Sequence, residues 1–233
     1  MKSLQVVTPS EPCMYHCPFC ISRTHRHFNH FQNVYQDDFE SWKRSLEQVL
    51  EENKDLKTVV ITGTNEPMQT PKCVQDVLDI VRAKRKDVTI EIQTRHYLPN
   101  RLYEEVDIVA YSISSFLLLD KIHGYGKKNR YVIILTDSFA HKSLQDILEK
   151  IPDTVSQVTF KVLQGSKEGN TEVDKWIYLH KLDDESVLKL KEDVLEYSGK
   201  KSIFFDACCM DAAGRYAIFR CDGKVYKDWD EVK

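Results

Sequence analysis

Three cysteines fall within eight positions of the segment EPCMYHCPFCISRTH at residues 11–25, as Cys13, Cys17 and Cys20. Thiols this close on one chain segment can pair as a disulfide, hold a zinc ion or hold an iron–sulfur cluster. Structural zinc takes four ligands, and His16, His25, His27 or His30 would complete a Cys3His set. The spacing C-x3-C-x2-C can instead cap three irons of a [4Fe–4S] cube and leave the fourth iron without a protein ligand. The chain has seven cysteines, an odd number, which argues against a secreted disulfide framework. Spacing alone leaves zinc and iron open.

A second segment bears on the choice. ITGTNEPMQT at residues 61–70 ends one apolar run and leads into a helical pattern. Gly63 permits a tight turn and close approach of a ligand, Asn65 tolerates positive φ, and Glu66 puts a carboxylate at a strand end on the same face as the cysteine loop. A zinc ribbon offers no reason for such a site one β-α unit downstream.

The elements that must position these residues alternate along the chain. Runs rich in Val, Ile and Thr occupy residues 4–8, 58–63, 88–94, 107–114, 131–136 and 157–163. Most lack clean period-2 alternation, which predicts a parallel sheet covered on both faces. Between them, residues 37–53 place Phe39, Trp42, Leu46 and Leu50 on one helical stripe. Residues 70–86 begin with a Thr70 N-cap and Pro71 at the first helical position. Residues 142–151 and a longer region of about 172–198 complete the helical set. Repeated β-α units predict right-handed crossovers and a parallel sheet. From about residue 201 the pattern turns strand-like, and CDG at 221–223 is a hairpin signal.

Composition excludes several classes. Of 233 residues, 42% are hydrophobic and 30% charged, the balance of a globular chain of one large domain or two small ones. A net charge of −3 creates no basic field for nucleic acid or anionic membrane, and the basic runs at 82–86 and 126–130 read as solvated element ends. The first residues lack a signal-peptide pattern and no run reaches about 18 apolar residues, so a soluble, cytoplasmic protein with no membrane or nucleic-acid partner is expected.

Taken together, CMYHCPFC and GTNEP resemble the radical S-adenosylmethionine (SAM) enzymes. That family has C-x3-C-x2-C after its first strand and a Gly-Gly-Glu-Pro-like segment after its second. Asn65 stands where glycine is commonest. The resemblance covers about residues 4–165 and implies an α/β fold, a partial (β/α)6 TIM-like barrel with a short C-terminal antiparallel β appendix. Residues 1–200 would form the barrel and 201–233 a hairpin extension of the same compact unit. It further implies that Cys13, Cys17 and Cys20 ligate a [4Fe–4S] cluster and that Phe19 lies against the adenine side of SAM. Gly63, Thr64, Asn65 and Glu66 would line the pocket for the SAM amino and carboxylate groups. Gln93, Thr94, Ser112 and Ser114 are candidates at the ends of strands three and four, although hydroxyls there often only satisfy backbone groups. The implied activity is reductive cleavage of SAM to a 5′-deoxyadenosyl radical that abstracts hydrogen from a substrate. A small-molecule substrate is favoured, with an electron donor such as flavodoxin or ferredoxin. An activase acting on a partner protein and a non-catalytic zinc-binding interaction protein are the alternatives.

The remaining features divide between surface and site. Cys208, Cys209 and Cys221 make no set of four and read as free, partly buried thiols, and Cys73 sits in a helix. Arg95 and Lys161 are placed to neutralise an anionic substrate at the barrel mouth, whereas Lys128 and Arg130 read as surface at the far end. Arg215, Tyr216, Arg220 and Tyr226 mix cations with aromatics and are expected in a substrate lid.

Overall fold

A computed structural model describes residues 1–9, 12–24, 31–165, 171–206, 216–227 and 229. His25, His27, His30, Cys208, Cys209 and Arg215 lie outside the described residues. The strands are β1 (Ser3–Thr8), β2 (Thr58–Gly63), β3 (Thr89–Thr94), β4 (Ile108–Ile113), β5 (Asn129–Leu135), β6 (Val155–Val162), β7 (Ser202–Asp206), β8 (Tyr216–Phe219) and β9 (Val225–Tyr226). The helices are α1 (Ile21–Thr24), α2 (Val34–Asp37), α3 (Phe39–Glu52), α4 (Pro71–Lys84), α5 (Leu102–Glu105), α6 (Leu144–Glu149), α7 (Glu172–His180) and α8 (Asp184–Glu196).

The strands form one sheet in the order β7-β6-β5-β4-β3-β2-β1-β8-β9. Every adjacent pair is parallel except β8–β9. From β1 to β7 each new strand adds on the same side of the last. Right-handed crossovers wound in one direction place all the connecting helices on one face. Trp42, Leu46 and Leu50 of α3 and Val74, Val77 and Val81 of α4 bury against Leu4, Val6, Val59, Ile61, Ile90 and Ile92 there. Each such side chain contributes roughly 1.5–3 kcal/mol relative to exposure.

The opposite face, the inside of the partial barrel, differs from the sequence expectation of strands covered on both sides. In β5, Asn129, Tyr131, Ile133 and Leu135 are buried while Arg130, Val132 and Ile134 are only half-buried. One-way winding sends the connecting helices to the first face, so the second is covered only in part, by α7 against Ile134 near the carboxyl end of β5. Polar side chains occupy its other end. Arg130, expected on the surface, donates to buried Glu91 at 2.6 Å and to Gln157 at 2.8 and 2.9 Å. These three close the floor of the barrel, away from the cysteine loop.

Two helical expectations are also revised. Thr70 makes no side-chain cap to α4; its hydroxyl donates to Pro67 O at 3.2 Å instead. The helical region after β6 breaks into α7 and α8, because Lys181 pairs with Thr136 and the Asp183 carboxylate caps α8 by accepting from Ser186 N at 2.8 Å.

The C-terminal segment divides between the two edges of the sheet. β7 extends it beyond β6, whereas β8 lies beside β1 and turns back through Gly223, whose φ is +75°, into antiparallel β9. This placement removes Arg220 and Tyr226 from any lid. Tyr226 is fully buried with Val7 and Ile218, and Arg220 is 2% exposed beneath the rings of Phe31 and Tyr226. The Trp42 indole donates to Arg220 O at 3.1 Å, which fastens α3 to the same segment. Of the expected lid residues, Arg220 and Tyr226 are buried in this edge of the sheet and Tyr216 is half-buried beside them.

Candidate functional site

Gly63 ends β2 opposite Thr8, the last residue of β1. A Cβ on Gly63 would fall 2.6 Å from both the Thr8 hydroxyl and Asn65 O, so only glycine allows the two strand ends this close. The Thr8 hydroxyl donates to Asn65 Oδ1 at 3.1 Å. Two buried polar atoms in this crevice, Thr64 Oγ1 and Asn65 Nδ2, have no hydrogen-bond partner. Leaving such groups unpaired costs about 1–3 kcal/mol each, which makes them candidates to meet a ligand.

Glu66 follows and is 4% exposed. Its Oε1 accepts from the Thr94 hydroxyl at 2.5 Å and from Met68 N at 3.1 Å, and its Oε2 accepts from Arg95 N at 2.7 Å. An ionised carboxylate offers about four acceptor sites, so one remains. Thr94 therefore works through Glu66, and its hydroxyl also accepts from His96 N at 2.9 Å.

The cysteine loop is held by a residue that sequence reasoning passed over. In the 3-10 turn Pro67–Gln69, the Gln69 amide accepts from Met14 N at 2.8 Å and donates to Pro12 O at 3.2 Å. The two-sided amide ties the loop after β1 to the segment after β2. Its only sequence signal is that it lies three residues past Glu66. His16 takes φ of +42°, and Cys20 N closes a turn on Cys17 O at 3.1 Å before α1 begins. Cys13, Cys17 and Cys20 are free thiols and half-buried, and Cys20 Sγ lies 2.9 Å from Ser22 Oγ.

Arg95 connects the rest. Its guanidinium donates to Cys17 Sγ at 2.9 Å and to Ser114 Oγ at 3.0 Å, and it lies 5.8 Å from the centre of the Phe19 ring. Burial pushes the Cys17 thiol up, and the neighbouring guanidinium opposes that. Phe19 packs with Ile134, Leu163, Val173, Ile177 and Trp176 at the ends of β5 and β6 and against α7. The structure thus gathers Cys17, Phe19, Glu66, Thr94 and Ser114 around one arginine. Gln93 and Ser112 stand apart from that cluster. The Gln93 amide donates to Glu91 at 3.2 Å, and Ser112 gives its carbonyl to the Tyr97 hydroxyl at 2.5 Å. Lys161 meets Asp206 at 3.7 Å. Cys73 is buried in α4 with its thiol pushed up to about 12 by burial, and Cys221 is buried in the turn after β8.

The residues present suit an open cube and SAM. Among the described residues no group of three or more His, Cys, Asp or Glu side chains converges as it would on one ion. A cube does not ask for that, since each thiolate binds a different iron. The two unpartnered polar atoms beside the ends of β1 and β2 suit an amino-acid-like head group.

No protein-family model matches the chain, and no curated protein matches it. Solved structures do. SuiB of Streptococcus suis bound to S-adenosylmethionine aligns with a TM-score of 0.65 at 15% identity, over 97% of this chain and 60% of that one. SuiB bound to its precursor peptide SuiA gives 0.64 at 14% identity, over 97% and 59%. Native anSMEcpe with bound AdoMet gives 0.63 at 13% identity, over 100% and 76%. This chain spans about three-fifths of the length of SuiB. The chain shares its fold with these solved structures.

Proposed function

We propose that this chain is a radical SAM enzyme in which Cys13, Cys17 and Cys20 hold a [4Fe–4S] cluster and Gly63–Glu66 hold SAM. When bound, that pair supplies one-electron cleavage of SAM to methionine and a 5′-deoxyadenosyl radical that takes hydrogen from substrate. The observation that carries the reading is the pairing of three free thiols on the loop after β1 with the two unpartnered polar atoms of the crevice after β2. Gly63 lets the ends of β1 and β2 come close together, and Gln69 fixes the cysteine loop beside them. The Glu66 carboxylate, oriented by Thr94 and by Arg95 N, has one acceptor site left for an ammonium group. Phe19 and Trp176 present apolar surface to a flat ring and exclude water around it.

The substrate is proposed to be a small polar molecule received on the inner face, where Gln93, Ser112, Thr159 and Lys161 are half-exposed above the Glu91–Arg130–Gln157 floor. A peptide or protein substrate is the alternative, since one of the similar structures contains a precursor peptide. The electron is proposed to come from a flavodoxin or ferredoxin in the cytoplasm. Among the described residues no helix is long and apolar enough to cross a membrane.

Anaerobic reconstitution tests the reading. About four irons per chain are expected, with 5′-deoxyadenosine formed on addition of SAM and dithionite. One zinc per chain and no cleavage would establish the interaction protein instead. Stimulation of cleavage by panels of small polar metabolites and of peptides then separates the two substrate classes.

A further inference from the structure

We infer that Arg95 is a positioning residue that would make the iron–sulfur cluster held by the cysteine loop easier to reduce, by holding a positive charge against the sulfur of Cys17. The inference rests on the cluster-binding reading above and deepens it.

The guanidinium is fixed from several directions. One arm donates to Cys17 Sγ at 2.9 Å, another to Ser114 Oγ at 3.0 Å, and the plane lies near the Phe19 ring. Its own backbone N donates to Glu66 Oε2 at 2.7 Å, which anchors the start of the side chain. Among the described residues no carboxylate forms a salt bridge with this guanidinium. The other buried or half-buried arginines are neutralised or enclosed: Arg82 by Asp107, Arg85 by Asp87 and Arg130 by Glu91, with Arg220 against aromatic rings. An arginine in a half-buried place whose charged head meets a thiol and a hydroxyl lacks a structural counter-ion. A thiolate bound to iron supplies one.

Arginine suits this place better than lysine. Its planar fork can bond two acceptors in different directions while a face rests on an aromatic ring. Its charge persists at any working pH, so the effect does not depend on titration.

The consequence follows from charge. Uptake of one electron from a low-potential donor adds one negative charge beside Cys17, with no bond made or broken and no proton moved. A nearby cation and a hydrogen bond to the ligating sulfur both favour the more negative state. Hydrogen bonds to cluster sulfurs are among the factors that set such potentials. Removing the charge should therefore lower the midpoint.

The test uses the reconstituted full chain, with Arg95→Gln and Arg95→Lys, in a dithionite titration followed by electron paramagnetic resonance. Arg95→Gln is expected to keep its iron and to shift the one-electron equilibrium against reduction by about tenfold, near 59 mV. Arg95→Lys keeps the charge and should shift less. A wild-type midpoint in Arg95→Gln at full iron content overturns the inference, as do equal shifts in the two variants. If Arg95→Gln loads no iron, Ser114→Ala carries the test by freeing one arm of the fork. A lowered midpoint there supports the inference and an unchanged one overturns it. Absence of iron from the wild-type chain would mean failure of the functional reading itself, and the iron count distinguishes the two.

Discussion

Arg85 and Arg95 stand at opposite ends of β3 and do opposite things. Arg85, before the strand, donates to the carbonyl oxygens of Leu50, Asn53, Lys54 and Leu56 and forms a fork with Asp87 at 2.8 and 2.9 Å. The carbonyls at a helix C-terminus lack partners within the helix, and here one guanidinium supplies them for the end of α3. Arg95, after the strand, meets a thiol, a hydroxyl and a ring. One end of the sheet completes the backbone's hydrogen bonding. The other leaves polar atoms of Thr64 and Asn65 without partners. The contrast locates stability at the amino ends of the strands and chemistry at the carboxyl ends, as parallel α/β folds arrange it.

The strongest test of this division is at the cysteines. Replacing Cys13, Cys17 and Cys20 together by Ala should remove all bound iron and all SAM cleavage. The fold should survive, because the three thiols lie on a loop and form no disulfide. Metal analysis and far-UV circular dichroism measure the two sides. Iron retained by the triple variant would end the assignment. An unfolded variant would show that this end of the sheet also carries stability.

The converse experiment is Arg85→Ala. Hydrogen bonds to a charged group are worth about 1.5–3 kcal/mol, and several carbonyls lose their donor at once. A loss of about 3 kcal/mol is expected in denaturant unfolding, while iron content per folded chain stays at the wild-type value. Unchanged stability would mean that water replaces the guanidinium without cost, and the proposed division would lose one half.

A smaller effect is expected at Glu66. Glu66→Gln keeps the shape but loses the charge, so SAM affinity should fall by about tenfold or more, the scale of a charge-assisted hydrogen bond. Calorimetric titration of SAM into the iron-loaded variant measures it. Normal affinity together with lost iron would move Glu66 from the ligand pocket to the support of the cysteine loop, through Gln69.

How much of this was legible in the sequence depends on whether a signal was local. The strand positions and α3 and α4 were readable because β-branched runs and helical spacing are local patterns. Cys13, Cys17, Cys20 and Gly63 stand out because their spacing is itself the signal, and they lie on the loop after β1 and at the end of β2. The sheet edges were not readable. β7, β8 and β9 look alike as short strands, and nothing local says that β7 joins β6 while β8 joins β1. The misplaced lid followed from that. Arg95 was singled out as a cation but assigned to substrate, since its approach to Cys17 spans 78 positions of chain. Gln69 was missed because an amide clamp has no sequence pattern beyond its distance from Glu66.

The smallest expected effect concerns acid. The Arg85 fork holds the Asp87 carboxyl down at about 2, below the ordinary value of about 3.9. A group whose pKa is lowered on folding contributes stability above its unfolded pKa, and that contribution disappears as pH falls through the folded value. Asp87 therefore helps the fold fully above about pH 4 and ceases to help near pH 2. Its side chain is 61% exposed, so solvent screens the pair and the contribution is small. Asp87→Asn should be slightly less stable than wild type at pH 5, and the difference should close as both are titrated toward pH 2. Comparing the two chains at each pH cancels acid effects elsewhere, including any on bound iron. A gap that persists unchanged to pH 2 would show that Asp87 acts through packing or a backbone bond. Arg85 would then hold the amino end of the sheet through its carbonyl contacts alone.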